Sequence, residues 1–325
     1  MKRHVFRLHR LIAALLAAVS LLLLPACDVP AEPSAGDASA YDPPAQTQNV
    51  PEHLASYQPA NSELWDRLDG STATIPLSEA LYMHFTGGNP RDAAYAIRHY
   101  KTDAAYENLL NGLANIIFVT YPSEDEQKRF ADAGAEMEIV PVVKDAFVLF
   151  VNAENPVTSL TQAELRGIYS GGIENWAEVG GNDLPIVPYQ RPINSGSQTL
   201  FLKLLMKDTL PLSPTSEQQI ASMGDIIDVI SEYDNAPAAI GYSVFYFANE
   251  MYGNDNIRFL GVDGVLPSKE TIAAGDYPLE TFYYAVLRAD TPADHPARAL
   301  LAFLLSDDGQ RVAESAGYIP LRPLP

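Results

Sequence analysis

A unit of apolar lead-in, small polar turn and helix recurs four times between residues 64 and 206. Residues 64–69 run into Gly70-Ser71-Thr72-Ala73-Thr74-Ile75-Pro76, followed by Leu77, Leu81 and Phe85 at helical spacing. Residues 95–100 read as a strand that passes through Lys101, Thr102 and Asp103 into a helix over 104–110, stopped by glycine. Residues 114–119 are a buried strand ending in Thr120-Tyr121-Pro122-Ser123, with a helix over 124–133. Residues 184–188 are a strand, and Asn194-Ser195-Gly196-Ser197-Gln198 opens a helix over 200–206. Such alternation predicts an α/β fold with mostly parallel sheets, in which ligands bind at the carboxyl ends of the strands where these turns gather.

Two of the turns have the chemistry of an anion cradle. In the 189–199 stretch, Asn194, Ser195 or Ser197 can cap the following helix, whose free first-turn amides and dipole also attract an anion. Gly196 allows close backbone approach, and Arg191 offers a planar fork of donors that suits a tetrahedral oxyanion. Gly70-Ser71-Thr72-Ala73-Thr74 repeats the pattern more than 110 residues earlier, with Pro76 in the first turn of its helix. The same residues would also serve as plain helix caps.

The N-terminus is of a different kind. Lys2, Arg3, Arg7 and Arg10 precede an apolar run of 14 residues, Leu11 to Leu24, broken only by Ser20, too short for a membrane span and suited to a secretory signal. The run ends Leu24-Pro25-Ala26-Cys27, and Cys27 is the chain's single cysteine, so no internal disulfide exists. A lone cysteine at a signal cleavage site resembles a bacterial lipobox, which implies lipidation of Cys27 and anchoring to the outer face of the cytoplasmic membrane without spanning it. Residues 1–26 are therefore expected to be a signal peptide. Residues 27–61, rich in Pro, Ala, Ser, Gln and Asp, are expected to be a disordered tether with a span of roughly 30 Å.

The formal net charge is -20, and the first 26 residues hold 4 basic and no acidic side chains, which leaves -24 for the remainder. That surface excludes nucleic acid as a partner, and an anion site on it must work through short-range hydrogen bonds. None of the six histidines, His4, His9, His53, His84, His99 and His295, has metal-ligand spacing, and no Gly-x-Ser-x-Gly elbow occurs. No metal, cofactor or catalytic residue is expected, and the chain does not read as an enzyme. The long β-rich run over 138–152 is expected to cross between two lobes, with residues 238–243 as a second crossing.

From residue 68 to residue 321 the order of pieces resembles the phosphate-binding proteins of bacterial ABC importers, in the type II periplasmic-binding-protein superfamily. The matching pieces are Asp69-Gly70-Ser71-Thr72-Ala73-Thr74-Ile75-Pro76, Lys144-Asp145-Ala146-Phe147, Leu160-Thr161 with Ile168-Tyr169-Ser170-Gly171, and Asn175-Trp176. They continue with Arg191-Pro192-x-Asn194-Ser195-Gly196-Ser197, Ile240-Gly241-Tyr242, and the closing Gly309-Gln310 and Gly317-Tyr318-x-Pro320-Leu321. The resemblance implies a two-lobed periplasmic-binding-protein fold with two crossing strands and a ligand cleft, lobe 1 being 62–143 and 246–325 and lobe 2 being 144–245. It implies a monomer that captures inorganic phosphate and delivers it to ABC permease subunits, with sulfate, molybdate, a small organic anion, or sensing without transport as alternatives.

Carried over by position, the implied phosphate ligands are Thr72, Ala73, Thr74, Thr102, Asp103, Thr120, Arg191, Ser195, Gly196 and Ser197. The family's usual carboxylate is missing at Thr120-Tyr121-Pro122. Asp103, and after it Asp69, is the expected substitute as acceptor of the ligand's proton, whereas Tyr121 and Tyr242 are expected to pack.

Overall fold

The structure is a computed structural model that describes residues 62–232 and 236–325. The signal, the tether and Cys27 lie outside the described residues. Among the described residues no helix is long and apolar enough to cross a membrane.

The frame is a mixed sheet in the order β1 (Leu68–Gly70), β2 (Ile116–Val119), β9 (Glu280–Arg288), β3 (Met137–Asn152), β6 (Ala239–Val244) and β5 (Val187–Pro188), with β7 (Ile257–Phe259) also on β3. A separate pair joins β4 (Ser159–Leu160) to β8 (Gly261–Val262). β1–β2, β5–β6 and β4–β8 are parallel. β2–β9, β3–β9, β3–β6 and β3–β7 are antiparallel. The expectation of mostly parallel sheets is corrected to a mixed sheet. The cause is β3, a 16-residue strand that every neighbour meets in the opposite direction.

β3 is where the molecule changes partner. Residues 137–146 pair with β9, and residues 147–151 pair with β6. The register slips between Pro141 and Val143, where proline has no amide to give the ladder. β9 opens beside Ala146 and runs back along the first half of β3, with β2 on its other side. The expected second crossing, β6, pairs only with the second half of β3 and with β5. At the change of partner Lys144 meets Glu280 at 2.8 Å, and Asp145 Oδ1 accepts from the amides of Ala146 at 2.8 Å and Tyr246 at 3.0 Å.

The predicted strand over 95–100 is instead the end of a helix, Pro90–Ala96, and an irregular connection. Asn89 accepts from Arg91 and Asp92, Asp92 answers it, and Pro90 fits the first turn, a complete capping box that outweighs the β-favouring Tyr and Ile. Tyr95 points to solvent at 78% exposure, which a sheet strand here would not allow.

The core under the second half is aromatic. Phe201 stacks on Tyr242 with centroids 4.8 Å apart and planes 3° off parallel, and Tyr169 and Phe147 close on the same pair. These rings fix the floor from which the Arg191 and Gly196 segments rise.

Candidate functional site: a cleft between helix starts

A cleft of about 640 Å³ is lined from one side by Ser71, Thr72, Ala73, Lys101, Thr102, Asp103 and Thr120, and from the other by Arg191, Asn194–Ser197 and Ala221–Asp225. Each group precedes or opens a helix: Ile75–Thr86 after a 3-10 turn, Thr102–Leu110, Gly196–Leu200 and Met223–Glu232. First-turn amides have no partner within their own helix and carry the positive end of its dipole. Their convergence suits an anion.

The first turn is braced from behind. His99 Nδ1 lies 2.8 Å from the Ser71 carbonyl, and its Nε2 lies 3.1 Å from Ser78 Oγ. Burial pushes the His99 pKa down and favours the neutral ring. Tyr318 donates to the Ala73 carbonyl at 2.7 Å and accepts from Leu77 N at 3.3 Å, so the Gly317-Tyr318 motif near the C-terminus holds the cradle near the N-terminus.

On the other side, Arg191 is 5% exposed. Its amide donates to Tyr242 Oη at 2.9 Å and Gln198 Oε1 at 3.1 Å, and its Nη2 donates to the Ala221 carbonyl at 3.0 Å. Burial brings the guanidinium pKa down to about 10, against the opposing pull of Tyr242 and Asp225, so the group stays charged at neutral pH. Tyr242 thus packs, as expected, and also positions Arg191.

Four buried polar atoms of cleft residues have no hydrogen-bond partner among the described residues: Arg191 Nε, Ser197 Oγ, Thr120 Oγ1 and Tyr283 Oη, the last beside Asp145. Buried groups of this kind are ordinarily paired, because each unpaired one costs about 1–3 kcal/mol. Four in one cleft point to something that binds there.

Nine of the ten residues expected at the site line this cleft: Thr72, Ala73, Thr102, Asp103, Thr120, Arg191, Ser195, Gly196 and Ser197. Thr74 does not. It is fully buried, and its hydroxyl is directed to the Phe118 carbonyl at 2.7 Å and the Ser71 carbonyl at 3.0 Å, so it locks the turn to β2. Ser195 lines the cleft while its hydroxyl caps its helix at Gln198 N. Thr102 and Asp103 are not caps. Lys101 holds that position at φ 74, ψ 164, a conformation that non-glycine residues rarely adopt and that gathers at functional sites.

The two carboxylates named as acceptors of a ligand proton are both committed elsewhere. Asp103 is ion-paired to Arg129, with about half its side chain exposed. Asp69 accepts from Gly70 N, Tyr100 N and Asn108 Nδ2 at 2.6–2.7 Å, outside the cleft. The 221–225 segment escaped the sequence reading because no strand announces it. Its local signal was Ser222 three residues before Asp225, whose amide the Ser222 hydroxyl accepts.

The two sides touch. A β-carbon on Gly196 would sit 2.6 Å from Thr120 Oγ1, 3.3 Å from Thr120 Cγ2 and 2.9 Å from Thr102 Oγ1. Lys203 Nζ lies 3.5 Å above the Tyr121 ring, a cation–π contact from the second side to the first. Thr120 turns both its oxygen and its methyl toward residue 196, and Thr102 adds a third close atom, so a methyl group there makes the neighbouring side give way. Gly196→Ala is therefore expected to fold normally but to hold the sides apart, weakening anion binding by about tenfold or more, as misplaced charge-assisted bonds imply. Titration calorimetry beside a melting curve checks this, and undiminished affinity would show that the contact is incidental.

Two α/β halves that share β3, with helix starts of both facing one cleft, define a solute-binding protein of the two-lobed periplasmic type. The chain belongs to the PBP superfamily: the superfamily's domain model matches residues 66–308. It is similar to the phosphate-binding protein PstS of Bacillus subtilis, at 27% identity over 255 residues, 78% of this chain and 80% of that one. It is also similar to PstS of Borreliella burgdorferi, at 26% over 262 residues, 78% and 89% of the two chains. Among solved structures it shares its fold with a substrate-binding protein from Clostridium perfringens with bound phosphate, at TM-score 0.62 and 24% identity over 78% of this chain and 98% of that one. An ABC-type phosphate transport receptor from Vibrio cholerae matches at TM-score 0.58 and 23% identity, with the same coverage.

Proposed function

We propose that this protein is an extracytoplasmic, lipid-anchored binding protein, not an enzyme, that captures phosphate in the cleft as a monomer and hands it to an ABC permease. The observation that carries this is the convergence of Arg191 Nε, Ser197 Oγ and Thr120 Oγ1, buried and unpartnered, on one cleft edged by helix starts. The names of the relatives support phosphate as the anion. Capture works through desolvated short-range bonds, since a chain of net charge -20 gives no long-range attraction to an anion. Closure turns on the change of partner at Ala146 and Phe147, where lobe 1 gives way to lobe 2 along β3. Calorimetric titration with phosphate, sulfate and molybdate tests the reading; heat with sulfate or molybdate and none with phosphate would overturn it.

One observation favours a second reading, a fully ionised oxyanion such as sulfate. Thr120 is not a carboxylate and Asp103 is matched by Arg129, so none of the residues lining the cleft offers a buried, unpaired carboxylate for a ligand's proton. Asp103→Asn is accordingly expected to change phosphate affinity by less than about threefold and to leave the response to sulfate as it was, because a half-exposed ion pair contributes little. A large loss of phosphate binding, with sulfate admitted, would return Asp103 to the role of proton acceptor.

The anchor rests on Cys27 and the basic, apolar segment before it. Cys27→Ala is expected to abolish lipid labelling and to move the protein from the membrane to the soluble fraction or leave it unprocessed. Unchanged labelling would remove the lipoprotein reading.

A further inference from the structure

We infer that the cleft accepts a phosphate group carrying a short, uncharged organic arm, a phosphate monoester or phosphonate of about glycerol size, beside or in place of inorganic phosphate. This rests on the phosphate reading above and concerns the ligand class of the same site.

The first argument is volume. A tetrahedral oxyanion displaces the volume of about three waters, roughly 90 Å³. The cleft holds about 640 Å³, within the range of pockets that take organic ligands. Further closure at the phosphate end does not remove this space, because the sides already meet there at Gly196 and at Lys203–Tyr121.

The second argument is the wall. Arg191 Nη2 is fixed to the Ala221 carbonyl, and from Ala221 the lining continues through Ser222, whose hydroxyl accepts from the Asp225 amide at 3.4 Å, to Met223 and Gly224. Gly224 lies close against Tyr252; a β-carbon there would be 2.7 Å from Tyr252 Cε2. Tyr252 donates to Asp228 Oδ1 at 2.6 Å, which holds the ring in place and helps push its hydroxyl pKa up to about 12. Phe247 follows at 5.8 Å between centroids, and Val244 completes the surface. An apolar wall beginning at the guanidinium gives inorganic phosphate nothing to bond with. It suits carbon attached to a phosphate held by Arg191.

The third argument is the proton. Monohydrogen phosphate presents a P–OH that wants an acceptor. The cleft's carboxylates are Asp103, paired with Arg129, and Asp225, exposed at the outer edge of the apolar wall. A monoester or phosphonate dianion has three terminal oxygens that only accept, and they match the hydroxyl, amide and guanidinium donors of Thr120, Ser197 and Arg191.

The full chain is titrated with inorganic phosphate, glycerol 3-phosphate and glycerol. Glycerol 3-phosphate is expected to bind within about tenfold of phosphate or tighter, and glycerol not at all, since a few buried carbons are worth about 10–200-fold. Met223→Trp fills the wall side and is expected to weaken glycerol 3-phosphate about tenfold or more beyond any effect it has on phosphate. Tyr252→Ala, a milder change at the partly exposed end of the wall, is expected to do the same. Phosphate binding with glycerol 3-phosphate excluded would overturn this inference and leave the phosphate reading intact. Equal loss of both ligands in both variants would overturn it too, and binding of neither ligand by the wild type would remove both readings.

Discussion

Arg191→Ala is expected to lower anion affinity about hundredfold or more, the largest loss of any single change in the cleft. The fold has already taken the guanidinium out of water and oriented it. Its amide and one amino group are tied to Tyr242, Gln198 and Ala221, and Nε is left without a partner. A ligand oxygen that meets this group makes a bond to a charged donor, worth about 1.5–3 kcal/mol net, and a forked contact makes two. One such bond corresponds to about ten- to hundredfold in the dissociation constant and two to about hundredfold or more, and the alanine variant also loses the positive charge facing the anion. Arg191→Lys keeps the charge without the fork and is expected to fall between the two. Its shorter reach also abandons the bond to the Ala221 carbonyl, so the 221–225 wall loses an anchor. Calorimetry on the wild type and both variants, with far-ultraviolet dichroism to confirm folding, measures this. An alanine variant that binds like the wild type would show that the second side of the cleft contributes nothing.

How much of this was legible in the sequence divides along local and non-local lines. The turn at Gly70–Thr74 and the one at Asn194–Gln198 were readable because a glycine and small polar residues are written within five residues, and Ser71, Thr72 and Ala73 of the first and Asn194–Ser197 of the second line the cleft. The direction of the strands was not. Whether β9 runs with or against β3 depends on the path of the chain from residue 152 to residue 280, and no local pattern records it. The same holds for the acidic residues. Asp69 looks like a ligand in Asp-Gly-Ser-Thr, yet Tyr100 and Asn108, more than 30 residues away, supply the donors that occupy it. Asp103 looks like a free carboxylate at a helix start, and Arg129 on a later helix claims it. Thr74 differs from Thr72 only in which way a 3-10 turn rotates it, toward the Phe118 carbonyl and away from the cleft. Where the sequence reading failed locally, at residues 95–100, the signal was present. Asn89-Pro90-x-Asp92 is a helix start, and aromatic residues with β preference drew attention from it.

Asp145→Asn is expected to stabilise the protein at alkaline pH and to flatten its stability profile between pH 4 and 8. Asp145 is 1% exposed and stands where β3 changes partner. Burial raises its pKa from 3.8 to about 7, although the amides of Ala146 and Tyr246 oppose the rise; the Tyr283 hydroxyl acts on it at longer range. The folded chain therefore prefers the protonated carboxyl. A raised folded pKa means that the group's contribution is fully present below about pH 4 and is lost as pH climbs through 7, where the fold must carry a buried carboxylate. A rise from 3.8 to about 7 corresponds to at most about 4 kcal/mol. Asparagine keeps an oxygen for the two amides, never ionises, and turns an NH₂ toward the Tyr283 hydroxyl. At pH 8 the variant should melt about 5 °C or more above the wild type, and the gap should close toward pH 4. A gap of constant size at all pH values would mean that the gain comes from hydrogen bonding alone, and a variant less stable at pH 8 would mean that the carboxylate is the preferred form. Tyr283 also lines the cleft, so the protonation of Asp145 sits behind the binding surface as well as at the change of partner on β3. Ligand-linked proton uptake, read as a buffer-dependent heat of binding that disappears in the asparagine variant, would show whether closure on the anion alters the Asp145 environment.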